Sequence, residues 1–454
     1  MAVALVALAL AACSHSGTST VSPGGGATAT PTPNPSSSPL TCTQIATGAA
    51  FIPDGGNGGT FHGVQVVHFE DSSGNLCTSA TILTVPFVGS VGALGAASDG
   101  TTALAAVSNN GGTTFTQIQD LFGVGGTSLI PAGMTYDVTV TPTPLPSTTP
   151  TPSGAVVLSD VNSIAVLGSG SSSVGLIGGI GTGILGLTQL ANAPPIFGGF
   201  IPFQGATPDP GVANRPIVAV APTPGSALAR GPSDLLVFSV TIVSTGYQFQ
   251  LMNFDKTMGY GAHNLRGAGN VAISADGSHA LIAGAPGPND VTLINNLPNS
   301  INKASTITLA SRPHSVSISG GGLIAAVGAD NGVYIITGVS TTAISLVAAF
   351  APNPFDTTAS APTFTGCDGH VYRMTNVSSV GFSADERYLV LVGSPPTQVC
   401  ASGYNSSLVA VPIDTTSGLQ PTPAPSPSPT AGPTQFTANG IVTRPTDTDY
   451  VIVR

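Results

Sequence analysis

Residues 271–284, VAISADGSHALIAG, decide the fold, because residues 316–328, VSISGGGLIAAVG, and 380–393, VGFSADERYLVLVG, repeat their pattern. In each stretch, apolar residues alternate along a short run, a polar turn follows, and a second apolar run ends in glycine. Alternation with a period of two is typical of a β-strand with one buried face. The Asp-Gly, Gly-Gly or Asp-Glu step between the runs indicates a hairpin connection. Each stretch therefore predicts two antiparallel strands joined by a tight turn.

Weaker copies of this pattern occur at 91–107, at 155–168 and at 217–238, where the turn is long and Pro-rich. A further strand-like run follows several hairpins, and these runs begin at Phe115, Val291, Val333 and Leu408. The chain therefore predicts three or four strands per repeat.

The spacing of the repeats matches a known architecture. From Val271 to Val316 the chain advances 45 residues, near the roughly 40–50 residues of a propeller blade. The core pattern V-x-[IF]-S-x-D-G-x-x-L resembles that of YVTN-type, WD40-like and lactonase-like β-propellers, although the Trp-Asp dipeptide is missing. The resemblance covers about half the chain and is strong in three units. It implies an all-β propeller of about seven four-stranded blades, and it specifies architecture rather than activity.

Strand-like sequence returns near the carboxyl end, at 435–442 and 450–453. We expect this end to complete a blade and close the ring, since closure removes the sheet edges that promote aggregation. The Pro-rich runs 139–153 and 420–433 are expected to be loops, because proline cannot donate a ladder hydrogen bond. Residues 42–454 are thus predicted to form a single propeller domain.

Charge is scarce and mostly negative. Only 7% of residues are charged and the formal net charge is −10, whereas nucleic-acid binding needs clustered Lys and Arg. We therefore expect no nucleic-acid partner, and we expect a monomer. At 41% hydrophobic residues, the chain is too apolar to be disordered throughout.

The amino terminus indicates export. Residues 2–12 form an apolar run of eleven residues, shorter than the roughly 20 that span a bilayer, so residues 1–12 are predicted to be a signal peptide. The LAAC sequence ending at Cys13 resembles the lipobox of bacterial lipoproteins, which implies lipidation of Cys13; the alternative is an ordinary secretory signal with a chance cysteine. Residues 13–41, rich in Pro, Ser and Thr, predict a disordered tether. These features predict a lipid anchor in the cell envelope, at the outer membrane or cell surface.

Four further cysteines suggest disulfides, since an export signal places them in an oxidising compartment. They are Cys42, Cys77, Cys367 and Cys400. Of the three possible pairings, loop-closure entropy favours the local pairs 42–77 and 367–400, each closing a loop of about 35 residues. The alternative joins the first repeat to the last.

Cationic or imidazole side chains precede four of the predicted innermost strands. In propellers, the loops entering those strands line the mouth of the ring, so such groups could bind an anionic or carboxylate-bearing ligand. The alternative is that they only cap strands and hydrogen-bond to neighbouring carbonyls. The candidate ligand-binding residues are Arg215, His263, Arg266, Arg312, His314, His370 and Arg373.

Other motifs carry weaker signals. Residues 181–186 match G-x-G-x-x-G by chance, because prolines follow too soon for the helix of a dinucleotide fold; a hairpin is expected across 174–190. His62, His68 and Glu70 could bind a metal, but a polar outer strand is the favoured interpretation. Asp276 and its counterparts Asp99 and Asp385 are expected to hydrogen-bond within turns. No cofactor and no metal site are predicted.

Two functions remain open on the sequence. The first is a non-catalytic surface scaffold that binds a protein, peptide or small anionic ligand. The second is an exported enzyme on the same fold, such as a lactonase-like hydrolase or a cofactor-dependent oxidoreductase. An adhesive envelope lipoprotein with protruding Pro-rich loops is a third possibility. The scarcity of ionisable residues and the lack of a G-x-S-x-G motif favour the scaffold.

Overall fold

A computed structural model describes β-strands, several of the turns beside them, and one unbroken run over 270–347. The described ranges are 49–54, 63–70, 76–86, 90–97, 102–109, 112–120, 129–131, 136–137, 139–140, 156–157, 159–168, 173–180, 183–188, 196–202, 219–231, 234–243, 246–259, 270–347, 363–365, 371–373, 376–394, 407–416, 434–436 and 452–453. No helix occurs in these ranges, so none of them holds a helical segment that could cross a membrane.

Seven antiparallel sheets, each containing a row of four strands, recur along the described residues, and we number them blades 1 to 7. Blade 1 combines β1 (Ala49–Asp54), β2 (Gly63–Glu70) and β3 (Leu76–Pro86) with the last strand, β33 (Ile452–Val453). Blade 2 contains β4 (Ser90–Ala96), β5 (Thr102–Asn109), β6 (Gly112–Asp120) and β7 (Leu129–Pro131), and β8 (Tyr136–Asp137) also pairs with β6. A separate pair follows, β9 (Thr139–Val140) with β10 (Val156–Val157).

Blades 3 to 5 follow in chain order. Blade 3 contains β11 (Ser159–Leu167), β12 (Val174–Ile180), β13 (Gly183–Thr188) and β14 (Ile196–Pro202). Blade 4 contains β15 (Ala219–Pro222), β16 (Ser226–Arg230), β17 (Leu235–Val243) and β18 (Gly246–Asp255). Blade 5 contains β19 (Val271–Ile273), β20 (His279–Ala283), β21 (Asp290–Asn295) and β22 (Asn302–Thr308).

Blades 6 and 7 complete the series. Blade 6 contains β23 (Pro313–Ile318), β24 (Ile324–Ala329), β25 (Gly332–Thr337) and β26 (Ser345–Leu346). A two-stranded sheet, β27 (Thr363–Thr365) with β28 (Val371–Arg373), comes between them in sequence. Blade 7 contains β29 (Asn376–Phe382), β30 (Tyr388–Ser394), β31 (Ser407–Pro412) and β32 (Thr434–Phe436).

The first strands of the seven rows contact one another in a closed circle. Going round it, β33 contacts β4, and the contacts continue through β11, β15, β19, β23 and β29 back to β33. A closed ring of radially arranged four-stranded sheets is a seven-bladed β-propeller. The predicted fold class is therefore confirmed, including the number of blades.

The two ends of the described chain share blade 1. Its innermost strand, β33, pairs antiparallel with β1, so that Ala50 lies opposite Val453 and Phe51 opposite Ile452. The predicted closure of the ring by the carboxyl-terminal segment is confirmed. The remaining three strands of this blade come from the beginning of the propeller.

The apolar side chains are buried between adjacent blades. Ile324 and Val333 of blade 6 pack in one cluster with Val377 and Leu389 of blade 7. Comparable clusters join blades 1 and 2, 3 and 4, 4 and 5, and 5 and 6. Each blade therefore buries the alternating apolar face of its strands against its neighbour, which is where removal of apolar surface from water stabilises the ring.

The hairpin turns of the repeats are held by the predicted side chains. The Ser274 hydroxyl donates to Asp276 Oδ1, which also accepts from the Ser278 N–H at 3.1 Å. In blade 7 the hydroxyl of Ser383 donates to Asp385 Oδ1 at 2.7 Å, and the Arg387 N–H donates to the same oxygen. The turn role expected for these two aspartates is confirmed, while Asp99 lies outside the described residues.

Several sequence expectations fail in detail. The hairpin expected at 155–168 is wrong, because Ser159–Leu167 is one continuous innermost strand and Val156–Val157 pairs elsewhere. The turn expected to be long within 217–238 is only three residues, 223–225, between β15 and β16. The loop expected over 139–153 begins with the short strand Thr139–Val140. The hairpin expected across 174–190 is confirmed by the pairing of β12 with β13.

Other predictions concern residues that the structure does not describe. Cys77 lies on β3, but Cys13, Cys42, Cys367 and Cys400 lie outside the described ranges, as do residues 1–48 and 420–433. The signal peptide, the lipid anchor, the tether and the disulfide pairing therefore stay predictions.

Candidate ligand site at the mouth of the ring

The edge at which the innermost strands begin, here called the mouth, contains a backbone irregularity in blade 6. The pairing of β23 with β24 shifts register between Pro313 and Ser315, which makes His314 an extra residue in the innermost strand. Similar shifts occur at Gly92 in blade 2 and at Ser378 in blade 7. Such β-bulges redirect a side chain and are frequent beside functional sites. The sequence placed His314 before the strand, whereas it lies within β23.

His314 forms a pair with an aspartate of the same blade. Its Nε2 contacts Oδ1 of Asp330, which lies in the turn between β24 and β25. The imidazole is buried, with 5% of the side chain exposed, whereas 52% of the Asp330 side chain is exposed. The imidazole of the pair is thus enclosed by the protein, whereas the carboxylate is in contact with solvent.

Electrostatics keep Asp330 ionised. The hydrogen bond from His314 lowers the pKa of Asp330 most strongly, partial burial opposes it, and the charges of His314 and Arg312 add to the lowering. Since an ionised carboxylate can only accept hydrogen bonds, the Nε2–H group of His314 is the donor in this pair.

Further bonds tie the two segments of the site together. The Asp330 N–H donates to the Arg312 carbonyl at 3.1 Å. Asn331 Oδ1 accepts from the Ser311 hydroxyl and from the Tyr334 hydroxyl, the latter at 2.8 Å. The segment before β23 and the turn after β24 are therefore held as one unit, which fixes His314 and Arg312 relative to each other.

The second ring nitrogen of His314 has no partner. Nδ1 is buried and makes no hydrogen bond, and it is the one such side-chain atom in the described part of the chain. Buried polar atoms in native proteins are nearly always hydrogen-bonded, to the protein, to water or to a ligand. This nitrogen therefore lacks the partner that a buried polar atom normally has.

A buried arginine holds the mouth between blades 4 and 5. Arg230, the last residue of β16, is fully buried. Its guanidinium donates to carbonyl oxygens on both blades, at 2.8 Å for Met258, and the other acceptors are the carbonyls of Gly259, Asn270, Ala283 and Gly284. These bonds fix the chain on both sides of residues 260–269, which lie outside the described ranges.

The structure brings together two of the seven predicted ligand-binding residues. Arg312, half-buried, and His314 adjoin each other at the mouth of blade 6. Arg373 ends β28, in the separate two-stranded sheet, opposite Thr363 of β27. Arg215, His263, Arg266 and His370 lie outside the described residues.

Sequence reasoning missed Asp330 and Arg230. Asp330 stands 16 residues beyond His314 in an unremarkable Ala-Asp-Asn-Gly turn, and only the hairpin geometry brings the two together. Arg230 binds backbone carbonyls, which leave no signature in a sequence. For the alternative metal site, His68 and Glu70 lie on β2, the third strand from the centre of blade 1, and His62 is outside the described ranges.

Comparison with known proteins extends this picture. No protein-family model matches the chain. No curated protein matches it either. Solved structures do match: a provisionally named 6-phosphogluconolactonase from Bacteroides uniformis has a TM-score of 0.52 at 12% identity, covering 82% of this chain and 94% of its own. The chain shares the β-propeller fold of this structure.

Two further matches are structures of proteins whose names give no activity. A Lactobacillus plantarum protein matches with a TM-score of 0.51 and 11% identity, over 90% of this chain and all of its own. A functionally unknown protein from Desulfotomaculum acetoxidans matches with a TM-score of 0.50 and 12% identity, over 80% of this chain and 92% of its own. At such low identity the likeness concerns the fold alone.

Proposed function

We propose that this protein is a lipid-anchored propeller of the cell envelope that binds a small carboxylate-bearing ligand at its mouth without converting it. The observation that carries the proposal is the blade 6 site, where Arg312 adjoins the His314–Asp330 pair at the start of an innermost strand. A guanidinium is well suited to a carboxylate because it offers paired N–H donors in a fixed plane.

Ligand binding at the mouth is supported by the hydrogen bonds that hold its described polar groups in place. The guanidinium of Arg230 donates hydrogen bonds to backbone carbonyls of two blades. The Asp330 carboxylate accepts a hydrogen bond from Nε2 of His314. These groups stiffen the mouth, and a rigid site loses less entropy when a ligand binds.

The binding proposal is tested with citrate as the probe and the detergent-extracted full chain. Isothermal titration calorimetry of the Arg312→Gln variant should show citrate affinity reduced about tenfold, as expected when a charged hydrogen bond is lost. Arg387→Gln is the matched control, because Arg387 is an exposed arginine in a turn of blade 7. Equal affinities for wild type and Arg312→Gln would contradict the proposal.

An exported lactonase-like hydrolase is the second candidate. It is favoured by the fold match to a protein provisionally named as a 6-phosphogluconolactonase and by the His–Asp pair, a common means of orienting an imidazole for proton transfer. Acid release from 6-phosphogluconolactone should not exceed the spontaneous rate if the protein only binds. Hydrolysis that is lost in His314→Gln would instead establish the enzyme.

The anchor is tested separately, by labelling cells with radioactive palmitate. Wild type should incorporate the label and Cys13→Ser should not, because the thiol is the proposed attachment point. Ser14→Ala serves as the control and should retain the label. Labelling of Cys13→Ser would contradict the anchor without affecting the mouth site.

A further inference from the structure

The ring does not require a histidine where His314 stands. Counting back five residues from the turn serines Ser274, Ser319 and Ser383 reaches Gly269, His314 and Ser378, and the same count from Ala97 reaches Gly92. Small residues thus occupy this position in the other blades that share the repeat. Blade 6 alone among these four places a large titratable group there, buries it, and supplies Asp330 to hold it.

The pairing with Asp330 determines what the free nitrogen can do. Because Asp330 accepts from Nε2–H, the neutral form of the imidazole carries its lone pair on Nδ1. In that form Nδ1 is an acceptor, buried and unpartnered, and its partner must be a hydrogen-bond donor.

The neighbouring charge narrows the identity of that donor. Arg312 acts on Asp330 from the segment that precedes β23, so its positive charge lies beside the site. The opposite charges of Arg312 and Asp330 largely offset each other at the site, and an ammonium group would lose its hydration beside a buried acceptor, so a compact neutral hydroxyl is the better donor. The guanidinium of Arg312 attracts a carboxylate.

We infer that the ligand of this site is a hydroxy acid, whose hydroxyl donates to His314 Nδ1 while its carboxylate binds Arg312. The inference rests on the proposed function and deepens it by naming the ligand class. Asp330 is then a positioning residue, which fixes the tautomer and the orientation of the imidazole.

The test uses two probes that differ by one hydroxyl, glycolate and acetate. Long-range proton–nitrogen spectra of the full chain report the ring nitrogens of its seven histidines, and His314 is assigned by its loss in His314→Gln. The free protein should show a protonated Nε2 and an unprotonated Nδ1. Glycolate should shift the Nδ1 resonance, acetate should not, and glycolate should bind about fivefold more tightly, the effect of one net hydrogen bond.

The His314→Gln variant is the matched control. Its side-chain amide can still donate to Asp330 from near the former Nε2 position, but it offers no acceptor where Nδ1 was. The variant should therefore bind glycolate and acetate with about equal affinity. Retention of the preference in this variant would overturn the inference.

Three other results would also overturn it. The first is a protonated Nδ1 in the free protein. The second is an equal shift of the Nδ1 resonance with glycolate and with acetate. The third is an Nδ1 resonance that does not shift when glycolate is added, as expected if a permanently bound water donates to Nδ1. Failure of the proposed function looks different, because citrate binding would then be insensitive to Arg312→Gln. If citrate binding depends on Arg312 but glycolate is not preferred over acetate, only the assignment of a ligand hydroxyl to Nδ1 is contradicted.

Discussion

At the scale of single residues, Arg230 shows how one side chain can stabilise a junction between blades. It is fully buried and donates to carbonyls of Met258, Asn270 and Ala283, which are distant in sequence. Burying a guanidinium is tolerated only when its donors are satisfied, and removing it leaves buried carbonyls without partners.

Arg230→Met should therefore lower the free energy of unfolding by about 3 kcal/mol or more. Urea unfolding followed by tyrosine fluorescence measures it, since the chain has eight Tyr and no Trp. Arg387→Met is the control: Arg387 is 58% exposed beside Asp385, and surface pairs contribute roughly 1 kcal/mol at most. Equal losses in the two variants would show that the Arg230 contacts are energetically unimportant.

Asp276 gives the protein a defined acid sensitivity. Partial burial raises the pKa of its carboxyl, but bonds from Ser274 and Ser278 and the charge of His279 outweigh this and lower it from 3.8 to about 2. A carboxyl whose pKa is lower in the folded state stabilises the fold above the unfolded value. That contribution is present above pH 3.8 and is lost as the pH falls toward about 2.

Asp276→Asn should flatten the stability profile between pH 4 and pH 2. Because 62% of the side chain is exposed, solvent screening keeps the expected change below about 1 kcal/mol. Urea midpoints measured at several pH values would reveal it. Wild type and variant with the same slope across this range would contradict the assigned cause.

At the scale of elements, the turn between the first two strands of a blade can also contact a neighbouring blade. Gly277 and Gly322 hold equivalent turn positions with φ of 72° and 67°. A Cβ on Gly277 would lie 2.9 Å from the carbonyl oxygen of Pro224 in blade 4, whereas one on Gly322 would meet nothing within 4 Å. Gly277 is therefore enclosed by backbone of the adjacent blade, whereas Gly322 is not, although its neighbour Gly321 donates its N–H to Glu386 Oε1 of blade 7 at 3.1 Å.

Both Gly277→Ala and Gly322→Ala should be destabilising by about 1–2 kcal/mol, because alanine disfavours positive φ. Gly277→Ala should cost about 1–3 kcal/mol more, since backbone of the adjacent blade must shift. Thermal unfolding midpoints of the two variants give the difference directly. Identical midpoints would mean that the backbone at Pro224 can move away from the new Cβ without lowering the free energy of unfolding.

The sequence predicted elements well where turn chemistry was explicit. The repeats beginning at Val271, Val316 and Val380 each became the first two strands of a blade, because alternation and an Asp or Gly turn agree there. Blade 3 was misread since Asp160–Asn162 looks like a turn, yet it lies inside β11 at the point where the pairing register shifts. A bulge and a hairpin turn use the same residue types, and only the partner strand distinguishes them.

Only the residues of the site that precede a repeat strand could be predicted from the sequence. Counting residues before the repeat strands identified Arg312 and His314, because the repeat fixes their place at the mouth. Their partner Asp330 follows the second strand, where polar turn residues are usual, so nothing marked it in advance. Whether a ring nitrogen is partnered depends on packing in three dimensions and cannot be derived from a pattern of residue types.

At the scale of the whole molecule, closure of the ring depends on one short strand. Ile452–Val453 pairs with β1 and contacts the innermost strands on both sides, β4 and β29. Without it, β1 would expose an unpaired edge toward the centre of the ring. Exposed edges of this kind pair with other chains.

Removal of residues 451–454 should therefore lower the unfolding midpoint and promote self-association, seen as larger species in analytical ultracentrifugation. The control is Ile452→Ala with Val453→Ala, which keeps the backbone ladder and should remain monodisperse. A truncated chain that unfolds and sediments like wild type would show that the strand is dispensable.

Because blade 1 is assembled from both extremities of the propeller, its biogenesis has a fixed last step. A polypeptide that folds from its amino end can complete the six other sheets in turn, while three strands of the first sheet wait for β33. The first sheet, and with it the ring, is therefore completed only when residues 452–453 have joined β1.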